Sequence, residues 1–123
     1  MADISIQFDP THDLTLCKVV GEMKRGEVAR SLGGEPMQRP SRLLLLDLQD
    51  ATSSDRDADS MMERAMTYGS LFSAPDTKTA LVYADDTGFG LGRMLEAYFE
   101  AFDIETELRS FQDMEQARAW LLE

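Results

Sequence analysis

The chain opens on strict alternation: Ile4, Ile6 and Phe8 are apolar, and Ser5, Gln7 and Asp9 are polar. A period of two predicts a half-buried strand. Pro10-Thr11-His12-Asp13 predicts a turn, because proline fixes φ and an aspartate bonds its own local backbone. Leu14–Val20 alternates less cleanly and predicts the returning strand of an antiparallel hairpin, ended by Gly21. Met23–Leu32 predicts a short helix, with Val28 and Leu32 one turn apart. Gly33-Gly34 stops it, since glycine accepts the left-handed position past a helix end. Pro36 and Pro40 exclude regular structure from the connection that follows.

The pattern then changes. Arg42-Leu43-Leu44-Leu45-Leu46-Asp47-Leu48 is apolar at successive positions, so both faces of the segment are covered. Its shortness and its flanking proline and polar residues predict a central strand rather than a buried helix. Asp55–Phe72 returns to a helical period, with Ala58, Met61 or Met62, Ala65, Gly69 and Phe72 on one stripe. Ser53, Ser54 or Asp55 supplies its N-cap, and Asp57 adds charge at its positive end. Lys78–Ala84 predicts another buried strand, with Asp85-Asp86-Thr87-Gly88 as its exit loop. Phe89–Phe102 predicts an amphipathic helix facing inward through Leu91, Met94, Leu95, Tyr98 and Phe102. Ile104–Phe111 alternates again as a half-exposed strand. Asp113 caps a last helix reaching Leu122, with Gln116 three residues on in the capping-box position.

The order is β-β-α-β-α-β-α-β-α. It predicts a single α/β domain over residues 1–123: a mixed, mostly parallel five-stranded sheet with an N-terminal antiparallel hairpin and four helices. Alternating β and α units imply right-handed parallel crossovers. At 123 residues the chain is long enough for one self-sufficient core and too short for two.

Charge narrows the function. The net charge is −11, which argues against nucleic acid and anionic membrane surfaces as partners, since both need clustered Lys and Arg. The imbalance is confined to one part: residues 1–49 hold seven acids and six bases, residues 50–123 sixteen and six. Cys17 is the single cysteine, so no internal disulfide and no thiolate metal site can form from it alone. No apolar run reaches the ~20 residues of a membrane span. The first residues lack the order of a signal peptide, and a reducing cytoplasm is the expected location.

Candidate chemistry is sparse. His12, the single histidine, falls in the hairpin turn, roughly 13–17 Å along an extended strand from Cys17. That is too far for a nucleophile and its base. Asp55, Asp57 and Asp59 begin like a calcium loop, but Ser60 and Met66 stand where glycine and a bidentate glutamate are needed. Gly88, Gly90 and Gly92 follow a strand and open a helix, where backbone N–H groups can hold a phosphate. Asp85 and Asp86 would repel it, and the glycines serve equally for close packing. Arg93 could receive an anionic group or pair with Glu96, and with Asp47, Asp50, Asp85, Gly88, Phe89 and Gly90 it forms a candidate partner or ligand surface. Asp47 and Asp50 end one strand near Asp85 and Asp86, at the sheet edge where ligands bind in parallel α/β folds. No catalytic set, cofactor or metal follows.

The element order, with Val19-Val20-Gly21-Glu22-Met23 closing the second strand and Leu44-Leu45-Leu46-Asp47-Leu48 forming the third, resembles the STAS domain of bacterial anti-sigma-factor antagonists. Phe89-Gly90-Leu91-Gly92-Arg93-Met94, and Phe111 through Ala117 to Trp120-Leu121, are similar to its SpoIIAA-like subgroup. The resemblance implies a noncatalytic regulatory module that docks on a protein partner or on itself as a homodimer. It also implies a phospho-acceptor or docking serine at the helix after the third strand, here Ser53 or Ser54 in Thr52-Ser53-Ser54-Asp55. The family pattern has a preceding Asp and a following Gly that this chain lacks. The docking surface would join that segment to Gly88–Arg93. The alternative is a small-ligand binder, for a lipid or a nucleotide, with Met61, Met62, Met66 and Met94 lining an adaptable pocket.

Overall fold

A computed structural model describes residues 2–23, 31, 39–52, 62, 65, 66, 69 and 72–123. Five strands, β1 (Asp3–Asp9), β2 (Leu14–Glu22), β3 (Leu43–Thr52), β4 (Lys78–Val82) and β5 (Glu107–Phe111), lie side by side in sequence order. β1 and β2 are antiparallel, while β2, β3, β4 and β5 are mutually parallel. Helix α1 (Asp86–Ala101) joins β4 to β5, and α2 (Met114–Leu121) follows β5.

The leucine run sits at the centre. Leu44 and Leu46 enter a cluster with Cys17, Val19, Ala65, Phe72, Leu81, Leu95 and Phe99. Leu43 and Leu45 enter another with Leu14, Ala80, Val82, Phe111, Ala117 and Leu121. Successive side chains of a strand point to opposite faces, so one strand serves two cores. Burial pushes the thiol of Cys17 up to about 11, which leaves it protonated and unreactive.

The strand starts are tied by a polar network. Arg39 donates from Nε to the Ser41 carbonyl, from one terminal nitrogen to the Phe72 carbonyl and Thr79 Oγ1, and from the other to the Arg42 and Lys78 carbonyls. The planar guanidinium reaches the start of β3, the start of β4 and Phe72 at once. Burial pulls it down to about 10, with Asp13 working against that, so it stays charged at neutral pH. Ser41 Oγ bonds Thr15 Oγ1 at 2.7 Å, and Thr79 Oγ1 lies 3.2 Å from Thr106 Oγ1. These buried hydroxyls satisfy one another, as the interior requires.

Four expectations change. Two helices, not four, are continuous among the described residues. The helices expected at Met23–Leu32 and Asp55–Phe72 lie mostly outside those residues, although Ser31, Met62, Ala65, Met66, Gly69 and Phe72 are helical. β1 is less covered than its alternation implies, since Ile6 and Phe8 are exposed; an edge strand has a neighbour on one side alone. β3 runs on to Thr52, with a register shift between Lys18↔Asp47 and Val20↔Asp50 that places an extra residue in β3. The buried line of α1 is Gly88, Gly92, Leu95 and Phe99, while Phe102 caps the helix and is exposed. Hydrophobicity skips the two glycines, so the sequence pattern displaces the inward face.

Leu45→Ala should cost about 3 kcal/mol in urea unfolding, and Phe8→Ala, at 57% exposure, less than about 1 kcal/mol. Native Cys17 should react with a disulfide reagent no faster than the protein unfolds.

Candidate functional site

The C-terminal ends of β2, β3 and β4 bring the expected residues to one edge of the sheet. Each carboxylate there already has a protein partner. Asp47 is buried, and its Oδ1 accepts from the Gln49 backbone N–H at 3.2 Å. It therefore pins the irregularity in β3. Asp50 is exposed and lies 3.7 Å from Lys18 Nζ across the strand pair. Asp85 is the N-cap of α1, its Oδ1 accepting from Gly88 N–H at 2.7 Å. Asp86 Oδ1 accepts from Gln112 Nε2 at 3.2 Å. Among the described residues no three His, Cys, Asp or Glu side chains converge as a metal site.

The Asp85 carboxylate occupies the place a bound phosphate would take at this helix end, where backbone N–H groups favour an anion. The glycines divide by role. A Cβ on Gly88 would lie 2.8 Å from the Tyr83 ring. One on Gly92 would collide with Ser110 Oγ and lie 2.6 Å from Tyr83 Cε2. Both let α1 press onto the sheet. Gly90 meets nothing within 4 Å and is exposed, beside half-buried Phe89. Arg93 pairs with Glu96 at 3.6 Å and keeps most of its side chain in solvent. Gly90, Arg93 and Asp50 are exposed and Phe89 is half-buried, a mixed set of open positions toward this end of the sheet. Ser53 and Ser54 lie outside the described residues, as do Asp55, Asp57, Asp59 and Met61.

His12 is held in its turn by Asp9, with Nδ1 2.7 Å from Oδ2. The Asp9 carboxyl lies below its usual range because of that hydrogen bond. Of the methionines proposed for a pocket, Met66 lines a shallow cleft with Ala65, Gly69, Ser73, Phe102, Asp103 and Ile104. Sequence reasoning missed two features. One is Arg39, whose signal is an arginine in a proline-bounded stretch facing threonines at several strand starts. The other is a second cleft between α1 and β5, foreshadowed by Glu96 and Glu100 one turn apart.

No family model and no curated protein matches the chain. Solved structures do. An anti-sigma factor antagonist from Mycobacterium paratuberculosis is 11% identical, with a TM-score of 0.65 over 100% of this chain and 96% of that one. An uncharacterized DUF3478-family protein from Shewanella loihica, described as having a SpoIIAA-like fold, is 16% identical, with a TM-score of 0.58 over 98% and 95%. The chain therefore has a SpoIIAA-like fold.

Gly92→Ala and Gly90→Ala should move stability in opposite directions. The first should cost about 1–3 kcal/mol through overpacking. The second should stabilise by about 0.5–1 kcal/mol through helix propensity. Thermal unfolding of the two variants checks the pair.

Proposed function

We propose that the protein is a noncatalytic regulatory module of the cytoplasm that works by docking on a protein partner or on itself as a homodimer. The observation that carries this reading is the end-to-end structural likeness to an anti-sigma factor antagonist. The edge chemistry supports it: carboxylates committed to caps and ion pairs leave a surface suited to recognition rather than to turnover. The docking face would be the segment after β3, including Ser53 and Ser54, together with Phe89, Gly90 and Arg93. A phosphate on either serine would add charge to an already acidic face and weaken an interface there. Among the described residues no helix is long and apolar enough to cross a membrane.

A second reading, a small-ligand binder, draws on the open apolar cleft at Met66, Phe102 and Ile104. It favours a lipid over a nucleotide, because Asp85 fills the helix end that a phosphate would need.

Two substitutions test the docking face without touching the core. Gly90→Arg adds bulk where nothing lies within 4 Å, and Arg93→Glu reverses an exposed charge. A partner captured stoichiometrically by the natural protein should bind each variant at least about tenfold more weakly, which is about 1.4 kcal/mol. Equal capture by all three proteins, or none by any, sinks the reading. Native mass spectrometry of freshly purified protein should show no retained small molecule; a bound lipid mass would favour the second reading.

A further inference from the structure

β5 is an edge of the sheet, and its outer side is a groove. It pairs with β4 alone among the described strands. Glu107 N–H donates to the Thr77 carbonyl, and the Phe111 carbonyl accepts from Tyr83 N–H. Main-chain groups alternate sides along a strand. Glu107, Arg109 and Phe111 therefore face β4, and Leu108 and Ser110 turn their main-chain N–H and C=O groups to the open edge. Alongside runs a cleft of about 580 Å³ between α1 and β5, with Phe99, Ile104 and Leu108 as its apolar part. Glu96, Glu100, Asp103 and Glu105 line it as well, while Glu107 is exposed on the opposite face of β5. Glu96 Oε2 is buried there with no hydrogen-bond partner.

We propose that this groove receives an extended, Lys- or Arg-bearing segment of a partner protein, which adds to β5 as a sixth strand. Strand addition at a free edge takes its affinity from main-chain hydrogen bonds and its selectivity from alternate side chains. The occupant follows from charge. A second copy paired along this edge would bring its own Glu96, Glu100, Asp103 and Glu105 to the same face of the extended sheet, and like charges there repel. A cationic strand meets carboxylates on both the helix and the strand side, and can reach the unpartnered Glu96 oxygen. The groove adjoins the Phe89–Arg93 face through the Arg93–Glu96 pair, but the β5 edge is not part of that face, and the inference does not depend on the function proposed above.

The test uses the ¹⁵N-labelled full chain and an eight-residue peptide alternating Lys and Val, at low salt. Binding should slow hydrogen exchange at Leu108 and Ser110 and shift resonances across residues 96–110. A Glu/Val peptide should not bind. A Lys/Pro peptide, equal in charge but unable to form a strand, should give no protection. Glu96→Gln with Glu100→Gln should weaken the Lys/Val peptide about fivefold, with the fold unchanged by the amide spectrum. The proposal is overturned if the Lys/Val peptide does not bind, if it binds and leaves Leu108 and Ser110 exchange unchanged, or if the Lys/Pro peptide binds as well.

Discussion

The two-sided burial of β3 is the constraint on which the rest depends. A strand whose leucines go alternately to opposite faces must lie in the middle of the sheet, with apolar cover above and below. That places β2 and β4 at its flanks and pushes β1 and β5 to the edges. It also demands two packed layers from one short chain. Ala65, Phe72, Leu95 and Phe99 supply one, and Ala117 and Leu121 the other.

A strand buried on both faces delivers its ends with little freedom, and the two ends are used differently. At the start of the parallel strands, one guanidinium and a set of hydroxyls join β2, β3, β4 and β5 through hydrogen bonds to backbone and side chain. Such a network is stable because every member is satisfied. At the other end, carboxylates cap α1, pin β3 and pair with Lys18. The frame is tied by hydrogen bonds at the strand starts and more open where the chain leaves the sheet. Loops positioned in this way by a fixed frame are where recognition commonly resides.

α1 shows how the frame shapes its own surroundings. Because Gly88 and Gly92 carry no Cβ, the helix settles against Tyr83 and Ser110 and rolls Phe102 outward. The same placement opens the cleft beside β5, lined by Glu96 and Glu100 from one turn of the helix and by Leu108 from the strand. Close packing at one end of an element and an open groove at the other come from a single helix orientation.

Much of this was legible in the residues. The run Leu43–Leu46 announced a covered strand, Asp113 announced a helix start, and Asp85 stood where a helix cap was needed. These are local signals: period, cap and charge act over a few residues and leave their mark in sequence. The inward face of α1 was misread because close approach depends on what a glycine meets across the interface, and hydrophobicity does not record that. Arg39 was missed because its bonds reach as far as Thr79. Sequence by itself determined the five strands, the helices before and after the last of them, and the burial of the middle strand. Tertiary structure alone decided which carboxylates are spent on caps and ion pairs and which remain exposed, because that depends on distances between residues far apart in the chain.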